Sequence, residues 1–486
     1  MATKEALAKE DLADEWGIAS TRKMISYAFG YIIVNFFLSY GMVNLYYFYQ
    51  DEVYGPAGVP IMTIFMLMLA AQIIFTLWNM INDPLLGYLT DKPMRWTRRF
   101  GLRAPWIILC SIPILIFYCL LWVPPVNAGI WIIFIYFILI TALFDGFFSI
   151  FNDHVYGGFT NQFPTEFERR RGFAIITLLM GGLLITLDIV QKAIQKPGEG
   201  KPETFFYAAL IVSVILIIFN IILFLGIRES KEMKEMFIGG FERTEDTGFF
   251  KVMKTALKRK NFVISVLGYT ISTTGMLLFN GMAIYMYLYV YKLPWAFAIL
   301  PSLIGLIAFM FFIPFWSNFA KKHGFKKTYY TCFFLHGLAF IPFIFIIGGL
   351  GTTTLIMVVI FQFMMYAFYS GEVCMLMPVA SDACDEVSVH LKRRQDGTLQ
   401  GIRTFFFRIS LLVFAVSLPI TFILTGYIPG AKTQSVSAQM GIRFLIAVIP
   451  AIIYIAMALV FKIFYDLEGE KKAEVIRQLK ELNLTR

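Results

Sequence analysis

Twelve long apolar runs, separated by short polar segments, leave this chain few folds to choose from. A helix that crosses ~30 Å of hydrocarbon needs roughly 20 mostly apolar residues. The runs fall at about 24–49, 60–82, 105–123, 130–152, 173–192, 205–227, 261–290, 295–316, 329–348, 353–377, 403–427 and 441–464. They are too long for barrel strands, which would also alternate in polarity. Composition agrees: 58% of the 486 residues are apolar and only 15% are charged, too little charge to cover a water-facing surface. The fold class is therefore all-α, a polytopic membrane protein of twelve transmembrane helices, with the lipid bilayer as its first partner.

The net charge of +10 raises the question of nucleic acid, and its placement answers it. Of the 42 Lys and Arg residues, 35 lie in the N-tail 1–23, the even-to-odd loops and the C-tail 465–486, counting Arg403 and Lys462 at the adjoining span ends. That is the asymmetry of cytoplasmic loops, so both termini are expected in the cytoplasm and the protein in the cell membrane. No nucleic-acid motif accompanies the charge, so no nucleic-acid partner is expected. Met1 to Trp16 is charged and helical in pattern, unlike a cleavable signal peptide. Cys110, Cys119, Cys332, Cys374 and Cys384 lie in or beside apolar runs without paired spacing, and the four histidines are scattered. No metal or other cofactor is expected from them. The spans hold no nucleophile–base constellation and the chain no GxxxxGK[ST] phosphate loop, so an enzyme or ATPase is not expected.

The longest internal loop, 228–260, divides the chain into six-helix bundles at 24–227 and 261–464, as in the parallel repeat of the major facilitator fold. Asp83 to Phe100 after span two and Trp316 to Lys327 after span eight are short basic loops in equivalent places.

Polar groups inside hydrocarbon are costly and normally face a bundle interior or a water path. Span two carries Gln72, Thr76, Asn79 and Asp83 on one helical stripe, and span four carries Asp145, Ser149 and Asn152 with Asp153 adjoining. Span one offers Tyr31, Asn35 and Ser39, and span eleven offers Arg408, which wants a carboxylate such as Asp145 or Asp153. Asp83, Asn35 and Arg408 point to function, whereas Ser149, Thr76 and Ser39 read as interhelical glue. Tyr46, Tyr47, Tyr285, Tyr287, Tyr289, Tyr291, Tyr366 and Tyr369 fit either an interfacial belt or a cavity wall. Glu372 is a further interior acid, which snorkelling to water explains at least as well.

Several stretches resemble the glycoside–pentoside–hexuronide:cation symporters, the family of melibiose permease. They are Asn82-Asp83-Pro84-Leu85-Leu86-Gly87 with Asp91, Arg99 to Trp106, Tyr156 with Glu168-Arg169, and Asp382 with Arg394 to Gly401. Span one also lines up, from Ser26-Tyr27 to Tyr49-Gln50-Asp51. The resemblance implies substrate binding at Asn35, Asn152, Asp153 and Arg408, and cation coupling at Asn79, Asn82, Asp83 and Asp145. It also implies a cytoplasmic gating loop with Gly87, Asp91 and Arg99. Where the family carries acids on spans one, two and four, this chain has Asn35, Asn79 and Asn152, and only Asp83 keeps its charge. An amide still exchanges hydrogen bonds with hydroxyls, but charge has left the cation site, so sodium, proton or no coupling all stay open. The expected function is secondary transport of a small-molecule substrate, a sugar or glycoside, by alternating access of a monomer. The alternatives are a lysolipid-like or other amphipathic solute, or, from another class, a non-transporting sensor or scaffold.

Overall fold

The computed structural model describes residues 19–90, 94–163, 166–231, 234, 249–392 and 396–482. Among them the secondary structure is helical throughout. The spanning helices are α1 (Thr21–Phe36), α2 (Ile61–Thr90), α3 (Ala104–Leu120), α4 (Ile130–Gln162), α5 (Glu166–Ile194) and α6 (Glu203–Gly226). They continue with α7 (Lys260–Tyr285), α8 (Ile299–His323), α9 (Phe325–Phe340), α10 (Thr352–Leu391), α11 (Asp396–Thr425) and α12 (Ile449–Phe464). Eleven of these helical segments are long and apolar enough to cross a membrane. α1, α9 and α12 reach that length with their adjoining turns, as Thr21–Gly41, Phe325–Phe345 and Val436–Phe464, while α3 is apolar but has 17 residues, ~25 Å of helix. Twelve apolar helices bear out the all-α polytopic fold.

The elements depart from the sequence expectation at their ends. Span one is not one helix to residue 49: α1 passes into π-helical turns at Phe37–Gly41 and, after Leu45–Tyr47, at Phe48–Tyr54. Some helix ends run further than apolarity suggests. α4 continues to Gln162 and α10 to Leu391, so Tyr156 and Asp382 lie on helices and not in loops. The polar residues there are satisfied by packing: Gln162 Nε2 donates to Ile227 O, and Asp382 pairs with Lys472. Polarity ends a hydrocarbon span but not a helix.

The chain forms two compact units. One comprises Met1–Leu45, Ile81–Gln195 and Pro202–Glu245, the other Tyr46–Met80, Lys196–Lys201 and Asp246–Arg486. The unit boundary thus departs from the expected bundle at 24–227 by giving the end of span one and the first two-thirds of α2 to the second unit. In the first unit α1 packs on α5 and α6, and α3 on α4. In the second, α10 packs on α8 and α9, and α12 on α7 and α9. Small residues allow this closeness: a Cβ at Gly337 of α9 would stand 3.1 Å from Ala451 O near α12 and 2.8 Å from the Ile455 side chain. Leu225, Phe311, Phe345 and Leu424 are exposed, as lipid-facing side chains should be.

The C-terminal helix Gly469–Glu481 is tied down by charge. Lys472 pairs with Asp382, while Lys471 and Lys260 both reach Asp466 at 2.6 Å. Burial raises the Asp466 carboxyl, but bonds from Lys260, Lys471 and Asn261 outweigh it and hold the group below the usual carboxylate range.

Candidate functional site

In the first unit the polar stripes meet in three contacts. Asn82 Nδ2 of α2 donates to Asp145 Oδ2 at 2.8 Å and to Ser149 Oγ at 3.4 Å on α4, all of them buried. Farther along α4, Asn152 Nδ2 donates to Asp153 Oδ1 at 3.2 Å. Asp153 in turn lies on Gly87 of α2, where a Cβ would stand 3.2 Å from its Oδ2. Asn35 Nδ2 of α1 donates to Tyr31 O at 2.8 Å and to the Tyr156 hydroxyl at 3.0 Å, and approaches Met180 Sδ at 3.8 Å. The Tyr31 and Tyr156 rings meet edge to face at 4.6 Å, and Phe159 adds a third ring beside Tyr31. Asn35 is half-buried and Tyr156 exposed, so this amide–phenol pair is open to a ligand. Tyr156, expected in a loop, joins the site because α4 extends past residue 152.

The other expected positions fall as follows. Asn79 is buried on the part of α2 that belongs to the second unit. Thr76 satisfies its hydroxyl on Gln72 O of its own helix at 2.8 Å. Asp83 lies within α2, but its side chain, like all of Asp91, is outside the described residues. Arg408 belongs to the second unit, with its guanidinium 5.8 Å from the Phe407 ring centre, whereas Asp145 and Asp153 belong to the first.

The loop before α3, where gating is expected, is held by groups that the sequence did not single out. Arg99 is exposed, its guanidinium 5.0 Å over the Phe100 ring, and its carbonyl accepts from Lys234 Nζ at 2.9 Å. The firmer anchor is Glu229, whose carboxylate accepts the backbone N–H groups of Leu102, Arg103 and Ala104 at 2.8, 2.7 and 3.3 Å. It thereby caps the start of α3, where orphan donors and the helix dipole favour an anion. The Arg103 guanidinium lies against Gly157 of α4, where a Cβ would come within 2.5 Å of Nη1. Nothing in the sequence spacing links Glu229 to residues 102–104.

These contacts give a testable consequence. Gly87→Leu fills the space that Asp153 Oδ2 occupies, so it should block cycling and leave substrate binding at the Asn35 side nearly intact. Binding and transport measured on one purified variant check this, and equal loss of both would mean general misfolding.

A second cluster lies wholly in the second unit, at the end of span one. Asp51 is buried, with Oδ1 accepting from the Tyr427 hydroxyl at 2.6 Å and from Gly430 N at 3.1 Å, and Oδ2 accepting from Gln50 Nε2 at 3.0 Å. Tyr46, Tyr47, Tyr285 and Tyr289 surround it, and with Tyr287 and Tyr291 they are buried, not spread as an interfacial belt. Gly55 and Gly430 back onto each other, a Cβ at Gly55 falling 3.0 Å from Gly430 N. The π-helical turns at Phe48–Tyr54 and Met286–Tyr291 bring these groups inward. Burial pushes the Asp51 carboxyl up to about 7, against the bonds from Tyr427, Gly430 and Gln50.

Apolar helices in two compact units, with polar stripes bonded to one another inside the first, fit a membrane carrier. A family model described as MFS/sugar transport protein matches residues 24–469, nearly the whole of the described chain. The chain belongs to this family. The transporter is 22% identical over 453 residues to sodium-dependent lysophosphatidylcholine symporter 1-A of Danio rerio, covering 83% of this chain and 79% of that one. It is 24% identical to sodium-dependent lysophosphatidylcholine symporter 1 of Mus musculus, covering 83% and 79%. A lactose permease of Lactobacillus delbrueckii subsp. bulgaricus is 22% identical, covering 84% and 66%. Among solved structures, a D-xylose-proton symporter superposes with a TM-score of 0.60 at 12% identity, covering 92% of this chain and 96% of that one. That likeness concerns the fold alone. The transporter is thus a member of a secondary-carrier family, as the sequence motifs implied.

Proposed function

We propose that the transporter carries a sugar or glycoside across the cell membrane, in symport with a proton or sodium ion, as a monomer with cytoplasmic termini. The observation that carries the substrate class is the Asn35–Tyr156 pair. The half-buried Asn35 amide and the exposed Tyr156 side chain stand together where a polyol can exchange hydrogen bonds with them, with the Tyr31 and Phe159 rings beside them for a sugar face. Asn152 and Asp153 on α4 supply further hydroxyl partners, and Arg408 on α11 is a further candidate for substrate binding. Asn79, Asn82, Asp83 and Asp145 form the coupling region, and Gly87, Asp91 and Arg99 the cytoplasmic gate.

A second reading, an amphipathic lysolipid-like solute, is favoured by the amides at Asn35, Asn79 and Asn152 where sugar symporters of this kind carry acids. Counterflow of a labelled panel in proteoliposomes separates the two. Exchange of a glycoside, lost in Asn35→Ala, supports the first, and exchange confined to lysophosphatidylcholine overturns it in favour of the second.

Orientation has its own check. Asn127 and Thr433 are exposed in the connections after α3 and α11, and Lys322 is exposed at the end of α8. Cysteines at Asn127 and Thr433 should react with an impermeant thiol reagent from outside intact cells, and one at Lys322 should not. The reverse pattern contradicts the orientation.

A further inference from the structure

The second unit encloses an acid–imidazole pair that the proposed coupling region does not include. Glu372 of α10 and His336 of α9 have side chains 1% and 0% exposed, and Glu372 Oε1 lies 2.7 Å from His336 Nδ1. The second carboxylate oxygen accepts from Ser272 Oγ of α7 at 2.8 Å, and the carbonyl of Ser272 accepts from the Tyr454 hydroxyl of α12 at 2.6 Å. Glu372 therefore does not snorkel to water: four helices converge on it. Gly371, its neighbour, makes room for this, since a Cβ there would meet Cys332 Sγ of α9 at 2.3 Å and the Trp316 ring of α8 at 2.8 Å. Phe340 stacks on the imidazole at 4.9 Å and Tyr454 meets it edge-on at 4.5 Å. The other titratable groups facing the pair are Tyr329 and Cys332 from α9, Tyr369 from α10 and Tyr454 from α12, with Arg403 of α11 acting on Tyr329. His336 Nε2 has no hydrogen-bond partner among the described residues.

The proton count of this cluster is the informative part. With Nδ1–H donating to Oε1 and Oε2 ionised, the cluster carries one negative charge. An ionised acid in hydrocarbon costs on the order of 3 kcal/mol on insertion scales. One added proton removes that charge. It does so at lowest cost on Oε2, where the Ser272 hydroxyl accepts as readily as it donates. Placing it on Nε2 would leave a buried N–H without an acceptor.

From this arrangement we propose that Glu372, positioned by His336 and Ser272, is a one-proton carrier site in the second unit, loaded when sealed and emptied when water reaches it. The proposal rests on the coupled-transport reading but names a site separate from the first unit's acids. In each cycle one proton from the outer side binds Oε2, and the same proton leaves to the cytoplasm.

The test is infrared spectroscopy of the full-length protein in lipid, which reads the C=O stretch of protonated carboxyl groups without needing a substrate. Wild type at neutral pH should show a protonated-carboxyl band that Glu372→Gln lacks. His336→Asn, which keeps a donor but changes its geometry and removes the imidazole, should move the pH at which the band disappears. Identical spectra for wild type and Glu372→Gln from acid to alkaline pH would overturn the proposal, whichever solute is carried. Where wild-type liposomes accumulate a solute on a pH gradient, Glu372→Gln should lose at least about tenfold of that accumulation and keep counterflow. Undiminished accumulation in that variant would also overturn it, while failure of wild type to move any solute would count against the transport reading alone.

Discussion

Asp83→Asn should abolish uphill accumulation of substrate and leave exchange down a gradient in place. Asp83 is the acid that survives where the family's coupling region carries several, and it adjoins Asn82, which is bonded to the buried Asp145 at 2.8 Å. A carboxylate on an apolar span is tolerated when something compensates it, and in a coupled carrier the compensating partner is the transported cation or proton. The amide keeps the size and the hydrogen bonds but cannot take up the ion. Exchange, which moves the loaded carrier back and forth, then persists, while accumulation, which needs the ion gradient, does not. Melting temperature should hold or rise, because removing a charge from an apolar span is neutral or stabilising when only a transported ion compensates it. Paired measurements of accumulation, counterflow and melting temperature on one purified variant decide the matter. Parallel losses in all three would make Asp83 a structural residue.

The second large effect concerns pH and the contact between Asp51 and the segment Tyr427–Gly430. Buried in that contact, the Asp51 carboxyl is pushed up to about 7. Once the contact opens and water reaches it, it returns to the ordinary value near 4. Between those values the closed contact binds more protons than the open one, so closure strengthens as pH falls from about 7 to about 4, by up to tenfold per unit. Above 7 the acid is ionised in both states and closure sits at its weakest, without further change. Below 4 it is protonated in both and closure sits at its strongest. Glu52, Tyr46, Tyr47, Tyr285, Tyr289 and Tyr427 share the site, and Glu52 adds to the upward push. Hydrogen exchange at the Gly430 amide, which donates to Asp51 Oδ1, reports the contact directly. Corrected for intrinsic rates, its protection should fall as pH rises through that window in wild type. In Asp51→Asn it should be flat and as strong as wild type at acid pH. A wild-type profile without slope, or the same slope in both proteins, contradicts the role given to Asp51.

What could be seen in the sequence depended on which physical constraint was local. Hydrocarbon thickness acts on consecutive residues, so the twelve runs were legible one at a time. Helical periodicity placed Asp145 and Ser149 on one stripe of span four, while Asn82, whose amide donates to both, lay outside the span-two stripe and was pointed to only by the family resemblance. Polarity marked where a span leaves the membrane but not where its helix stops, which put Tyr156 and Asp382 into loops that the backbone does not form. Asp51 looked like an ordinary acid at a span end, because its partners Tyr427 and Gly430 lie more than 370 residues away. His336 and Glu372 meet from different helices, 36 positions apart, and each alone reads as a scattered polar residue. Sites assembled by tertiary packing leave no period to detect.

The central claim, that this chain is an ion-coupled secondary carrier, is tested most directly by accumulation in proteoliposomes that contain no ATP. Purified protein should concentrate the solute found by counterflow when a proton or sodium gradient is imposed inward, and should lose that accumulation when the gradient is collapsed with an ionophore. Uptake that only equilibrates, unchanged by either gradient, would contradict the coupling. The absence of any exchange across the glycoside and lysophosphatidylcholine panel would contradict the carrier assignment of substrate altogether.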